Sequence, residues 1–370
     1  MIYKRYVLMN PGPVLVDRRV RKALTGADLC HREPEFAELM TSVRDKIRLV
    51  CEGDADYTSV LLMGSGTAAL EAVLSSVIPE SGKLLILSNG HYGERITEIA
   101  RVHSISHREV KFGWAVSYSL DQVEAVLGSD SKITHVAMVH HETSTGMLNP
   151  LNDVGRLVSL FHRSLIVDAI SSLGGELLNV RDDSVDWCIG TANKCIEGIP
   201  GVSFVCGSYA AFRALATVPN RTFYLDLHSN YVAQQARKAP LFTPAVQVMC
   251  ALDVALDLLL KESVIARNAR YGMLAEQLRH GLKIRGFEFL LQHEQDRSCL
   301  LTALRLPQDC SYADLHDRLK RRGFVVYAGQ EALARSYFRL STMGQITRAD
   351  IDAFFNALDE ARNEIRESIG

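Results

Sequence analysis

Short apolar runs alternate along the chain with helix-length amphipathic stretches, and that alternation leaves few folds open. A strand covered on both faces reads as a near-continuous apolar run, whereas a crossover helix carries a single apolar stripe. Runs of the first kind stand at YTSVLLM (57–63), KLLILSN (83–89), ITHVAMVH (133–140), SLIVDA (164–169), VDWCIGTA (185–192) and VSFVCG (202–207). Most gaps between them have room for a helix, which predicts an α/β fold: a mostly parallel sheet flanked by helices. Only NKCIEGIPG separates the last two runs. That is too short for a crossover, so one antiparallel strand is expected.

The pattern changes after residue 243. PAVQVMCALDVALDLLLKE reads as a long apolar helix leading out of the first unit. Strands are then expected at SCLLTALRL (298–306), GFVVYAG (323–329) and SYFRLSTM (336–343), with a helix at ADLHDRLKRRG. A closing helix from about Thr347 places Ile351, Phe354, Phe355, Leu358 and Ile365 on one face. At 370 residues the chain exceeds the roughly 150 residues of an average domain. The expectation is a large domain over 15–255 and a smaller α+β domain over 256–370, joined by residues 1–14.

A formal net charge of −2 gives no excess of either sign, which argues against a nucleic-acid or membrane partner. No run approaches the roughly 18 apolar residues of a spanning helix, and the first residues lack a signal-peptide core. A soluble, cytoplasmic protein is expected. The eight cysteines form no CxxC pair and read as reduced thiols. His140, His141 and Glu142 are consecutive, so on a strand they face alternately and make a poor metal set; no metal is expected.

Three features point to chemistry. Gly64-Ser65-Gly66-Thr67 follows a strand and opens a helix, where backbone amides, hydroxyls and the helix dipole favour a phosphate, although ordinary helix capping gives the same pattern. LIVDAISS delivers Asp168 to the carboxyl edge of the sheet, where open α/β sheets bind ligands. Lys194 leaves an apolar strand into a Gly/Pro-rich turn; solubility explains that poorly, whereas a desolvated amine suits Schiff-base formation. Phosphate loop, carboxylate and lysine together point to pyridoxal 5'-phosphate (PLP).

The stretches MNPGP, YTSVLLMGSGTAALEAVL, SNGHYGER, THVAMVHHETSTGMLNP, IVDAISSLGG, ANKCIEGIPG and FRLSTMG closely resemble the 2-aminoethylphosphonate:pyruvate transaminase family, within the class V aminotransferases of PLP fold type I. The resemblance implies a large domain with a mostly parallel sheet of the seven-stranded type, a smaller C-terminal α+β domain and a homodimer with shared active sites. It also implies residue roles. Lys194 binds the cofactor and moves protons, and Asp168 holds the ring nitrogen. Ser65, Gly66 and Thr67 cradle the phosphate, with Asn193 near it and Thr243 reaching it across the dimer interface. Tyr92 stacks on the ring and Thr143 lies beside the ring oxygen. Arg339 grips the substrate's acidic group, and Asn10, Gly12 and Pro13 line the same pocket.

One segment departs from the phosphonate pattern. DLCHREPEF (28–36) is similar instead to alanine- and serine-glyoxylate aminotransferases. Arg32 or His31 would then reach a neighbouring active site, or the segment would fix the dimer. The expected partners are an amino donor and a 2-oxo acid acceptor. Rival readings are another class V transaminase of the glyoxylate type, one acting on a different aminophosphonate, or a PLP lyase or desulfurase. The last needs a cysteine on a mobile loop, and Cys195 beside Lys194 is badly placed for that. A DNA-binding regulator built on this scaffold would need a basic module that is not evident.

Overall fold

The protein is described by a computed structural model covering residues 6–308 and 310–369, so the first five residues of the N-terminal segment lie outside the described residues. Seven strands form the main sheet: β1 (Tyr57–Met63), β2 (Lys83–Ser88), β3 (His107–Lys111), β4 (Ile133–Val139), β5 (Ser164–Asp168), β6 (Trp187–Thr191) and β7 (Val202–Ser208). Their spatial order is β1-β7-β6-β5-β4-β2-β3. All neighbours are parallel except β7, which runs antiparallel to both β1 and β6. The six expected strands and the one reversal are therefore present. β3 is the addition: HREVK is an edge strand, partly exposed along its length, and carries no apolar run to mark it.

Alternate residues of each strand enter opposite cores, as the two-residue strand period requires. Leu61, Leu85, Leu87, Val136, Met138, Leu165, Val167 and Phe204 pack with helices Pro34–Val50, Leu151–Leu160 and Val246–Glu262. Val60, Leu62, Leu84, Ile86, Ala137, Ile166, Ile189 and Val205 pack with helices Gly66–Val77, His91–Val102 and Leu227–Ala236 on the other side. With both faces covered, the central strands are open only at their ends.

A third core surrounds a smaller antiparallel sheet of β8 (Leu301–Arg305), β9 (Tyr327–Ala328) and β10 (Tyr337–Ser341), with β10 in the middle. The predicted 323–329 strand is split at buried Val326: Phe324–Val325 pairs in parallel with Val7–Leu8, and Tyr327–Ala328 pairs with β10. The closing helix Arg348–Ile369 buries Ile351, Phe354, Phe355, Leu358 and Ile365, the face its spacing marked out. Residue 255 lies inside the Val246–Glu262 helix, whose Ala255, Leu256 and Leu259 join the main core. Helix Val264–Ile284 bridges the two regions, with Tyr271 in the main core and Leu274, Leu278 and Leu282 in the third.

Among the described residues no helix is long and apolar enough to cross a membrane, and no cluster of His, Cys, Asp or Glu could hold a metal ion. Among the described residues no cysteine forms a disulfide.

Gly190 of β6 sits opposite Phe204 of β7, and a Cβ at Gly190 would fall 2.3 Å from the Phe204 ring. Gly190→Ala is therefore expected to cost about 1–3 kcal/mol, as overpacked cores do, in urea unfolding. Shrinking the ring with Phe204→Leu in the same molecule should recover part of that loss, so the two changes together cost less than their sum.

Candidate active site

The parallel strands all end on one edge, and the loops leaving that edge carry the chemically competent residues. Met63 of β1 leads into Ser65, Gly66 and Thr67, and Ser88 of β2 leads into Tyr92. Val139 of β4 leads into Glu142 and Thr143, β5 ends on Asp168, and Thr191 of β6 leads into Asn193 and Lys194. Because β7 runs the opposite way, its first residue Val202 lies at the same edge beside β6.

Lys194 Nζ donates to the backbone carbonyl of Pro11. The fit is close: a Cβ at Gly12 would stand 2.7 Å from Lys194 Cδ and 2.9 Å from Nζ, and Gly12 has a φ of +108°. Only glycine suits both demands. Burial brings the Lys194 amine down to about 8, with the Arg339 and Arg95 guanidiniums pushing the same way and Asp168 opposing them. About a tenth of the amine is thus neutral at pH 7, far more than for an unperturbed lysine. Asp168 goes the other way: burial raises its carboxyl to about 6, against the hydrogen bond that Oδ1 accepts from the Ile170 amide at 3.0 Å. Among the described residues Oδ2 accepts no hydrogen bond, so the carboxylate lacks a full counterpart.

The helix Gly66–Val77 starts without a side-chain cap, although its N-cap is Ser65. Its first amides and the exposed Ser65 hydroxyl are therefore not engaged by capping. A Cβ at Gly66 would meet the Ile170 side chain at 2.8 Å, so the absence of a side chain lets the helix end approach the Asp168 loop. Thr67 Oγ1 accepts from Arg95 Nη1 at 3.3 Å. Asn193 is tied back to its strand, its Oδ1 accepting from Thr191 Oγ1 at 3.0 Å.

Two residues at this edge were given no site role from the sequence, where Glu142 was weighed only as part of a rejected metal set. Glu142 is fully buried and caps the helix His91–Val102, accepting from the Tyr92 and Gly93 amides at 3.1 and 3.2 Å and from Ser144 Oγ at 2.5 Å. It thereby fixes Tyr92; the HHETSTG stretch was legible as a motif, but its carboxylate acts as a helix cap. Burial raises the Glu142 carboxyl, while these donors counter the rise. Arg95, one turn beyond His91, places its guanidinium 4.6 Å from the Tyr92 ring centroid and donates toward Thr67. The arginine in SNGHYGER was the available signal for it.

Arg339 is buried on β10 and reaches over from the third core. Its Nε donates to the Ala328 carbonyl at 2.9 Å, and its Nη1 donates to the Thr143 carbonyl at 2.9 Å and Gln330 Oε1 at 3.1 Å. Nη2 has no partner among the described residues. Nor does any carboxylate pair with Arg339 there, and burial lowers its pKa.

Asn10 is buried and donates from Nδ2 to the Pro13 carbonyl at 3.0 Å, bracing the turn against Lys194. Two predicted residues are not drawn into this cluster within one chain. Arg32 is exposed just before the Pro34–Val50 helix, and Thr243 is exposed just before Val246–Glu262. The two segments lie close, with Asp28 Oδ1 accepting from Gln247 Nε2 at 3.2 Å.

These groups fit PLP. Asp168 offers a buried anion in need of a cation, Lys194 an amine depressed toward neutrality, and the uncapped helix end with Thr67 a set of donors for a phosphate.

Comparison with known proteins agrees in kind. The aminotransferase class-V family profile matches residues 21–354. The 2-aminoethylphosphonate–pyruvate transaminase of Salmonella typhimurium is 35% identical over 366 residues, 98% of this chain and 99% of that protein. Pyridoxamine-pyruvate aminotransferase from Mesorhizobium loti superposes with a TM-score of 0.92 at 28% identity, covering 98% of this chain and 93% of that one. Alanine–glyoxylate aminotransferase from Nostoc sp. has a TM-score of 0.92 at 25% identity, covering 98% and 96%. With its profile match, its relatives and its fold in agreement, the chain belongs to the class V aminotransferases and is a PLP-dependent transaminase.

Proposed function

We propose that the protein transfers the amino group of 2-aminoethylphosphonate to pyruvate, giving phosphonoacetaldehyde and alanine, or runs the reverse reaction. The observation that carries this reading is the pairing of a buried Lys194–Asp168 edge with Arg339, whose Nη2 has no partner among the described residues. A guanidinium in that state suits an acidic group such as a phosphonate or carboxylate. Full-length similarity to the Salmonella phosphonate transaminase supports the donor and acceptor.

PLP supplies an aldehyde that condenses with amines and a ring that stabilises negative charge on the neighbouring carbon. Lys194, with its amine near neutrality, takes and returns the proton at the substrate carbon. Asp168, as a buried carboxylate, would keep the proton on the cofactor's ring nitrogen, and Tyr92, fixed by the Glu142 cap, provides a flat wall. Ser65, Gly66, Thr67 and Asn193 bind the phosphate end. Arg339 orients the acidic end of the donor, Thr143 contributes its hydroxyl, and Asn10, Gly12 and Pro13 close the side facing Lys194.

The same reading makes the protein a cytoplasmic homodimer, with a large domain through residue 255 and a smaller one beyond. Phe223 is 83% exposed and Tyr224 43% exposed, and both pack on Phe242 next to Thr243. An aromatic patch of that kind suits a second copy of this chain, which would carry Thr243 and Arg32 toward the neighbouring phosphate and substrate. Buried thiols such as Cys51, Cys188 and Cys206 agree with a reducing compartment.

Single-turnover spectra with candidate amines test the substrate. 2-Aminoethylphosphonate should bleach the cofactor band, whereas bleaching by alanine or serine alone would move the chain to the glyoxylate-type transaminases. Lys194→Ala should not cycle. Arg339→Ala should lose on the order of 100-fold in kcat/KM for the phosphonate, the scale of a charge-assisted pair, with cofactor affinity little changed.

The Asp168 carboxyl sits at about 6 in the folded, cofactor-free chain against an ordinary 3.8, so folding takes up a proton between those values. Its contribution to stability is full below about pH 4 and lost above about pH 6. Urea melts of cofactor-free Asp168→Asn should therefore show a gain over wild type at pH 7.5, at most on the order of 3 kcal/mol, and none near pH 4. A gain confined to acid would contradict the assignment. Phe223→Glu should shift the assembly toward monomers in light scattering; an unchanged dimer would place the interface elsewhere.

A further inference from the structure

The lysine-bearing turn and the arginine-bearing strand come from different cores, yet one buried carboxylate lies between them. Glu197 stands three residues after Lys194, is 3% exposed, and has a φ of +59°. A side chain other than glycine in that region costs about 1 kcal/mol and persists where its surroundings hold it. Its amide donates to the Lys194 carbonyl at 2.9 Å, closing the turn. Its Oε1 accepts from Tyr271 Oη at 2.6 Å and from Arg270 Nη2 at 2.9 Å, and its Oε2 accepts from Gln345 Nε2.

Those partners lead directly to the other end of the site. Arg270 Nη1 donates to the Gly344 carbonyl at 3.0 Å, and the Gly344 amide donates to Tyr271 Oη at 3.1 Å. Gly344 and Gln345 follow β10, the strand of Arg339. The Gln345 amide in turn donates to the Leu15 carbonyl at 2.9 Å, and the chain preceding Leu15 is the Gly12–Pro13 turn packed on Lys194. Arg267 adds a second tie to the lysine turn, its Nη1 donating to the Cys195 carbonyl at 2.8 Å. The segments bearing Lys194, Arg339 and Gly12 are thus joined through Glu197 in one closed circuit.

We propose that Glu197 is a positioning residue that sets the separation of Lys194 from Arg339, and thereby the length of acidic amine the site accepts. The inference rests on the reading of Lys194 and Arg339 given above and deepens it. An amine reacting at Lys194 while its acid end is held by Arg339 spans a fixed interval. Loosening the circuit relaxes that interval without removing either group. Arg339 opposes positive charge at the Lys194 nitrogen, so its retreat favours a proton on that nitrogen, whether as the free amine or bound to the cofactor.

The test uses the cofactor-loaded enzyme with Gln345→Ala, Glu197→Gln and Glu197→Ala. The ratio of kcat/KM for 2-aminoethylphosphonate over 3-aminopropylphosphonate is measured alongside the pH midpoint of the visible cofactor band. Gln345→Ala, losing one hydrogen bond, should lower the ratio about fivefold, and Glu197→Ala about tenfold or more, with the midpoint moving upward in both. Glu197→Gln keeps an acceptor for Tyr271 and Arg270 and should fall between wild type and Glu197→Ala. Unchanged ratio and midpoint in Gln345→Ala and Glu197→Ala, with only thermal stability reduced, would overturn the proposal. If Glu197→Ala does not fold, Gln345→Ala decides the matter. Should wild type turn over neither phosphonate, the substrate reading falls, and the midpoint alone decides the role of Glu197.

Discussion

Two ionisable groups held out of water at the ends of adjacent parallel strands govern the rest of the molecule. Asp168 closes β5 and Lys194 follows β6, its neighbour in the sheet. Desolvation drives both toward their neutral forms, the carboxyl upward and the amine downward. Such burial is unfavourable unless the scaffold compels it. Here the compulsion comes from the two cores that clamp the sheet, since strands covered on both faces can release polar side chains only at their ends.

That constraint also explains which features were legible in the sequence. Asp168 and Lys194 stood out because each interrupts an apolar run, and Ser65 to Thr67 because glycine and hydroxyl residues open a helix directly after a strand. The six strands buried on both faces were visible for the same reason, and the short NKCIEGIPG link announced the reversed β7. β3 was hidden because an edge strand needs no apolar run, and the break at Val326 because both halves share one continuous apolar stretch. Glu142 and Arg95 were obscured differently. Their roles depend on contacts with Tyr92 and Thr67, which lie far from Glu142 and one helix away from Arg95.

Arg339 belongs to a separate layer of organisation. Its strand is anchored by the third core through Phe338 and Leu340, while its guanidinium crosses to the Thr143 carbonyl of the first. The Arg339 and Lys194 side chains are thus held by two different cores, Arg339 by the third and Lys194 by the main one. Tyr271 and Arg270, on the helix that spans both, carry much of that registration.

The reversal of β7 has a mechanical consequence for Lys194. Because β6 and β7 are hydrogen-bonded neighbours, the turn between them is pinned at both ends to the same stiff sheet, from Thr191 on one side to Val202 on the other. A segment tethered like a bridge between two piers cannot swing as a flap on a single hinge can. Whatever excursion the amine makes must come from rotation within its own four methylenes, so reactants have to travel to it along a route shaped by the walls opposite.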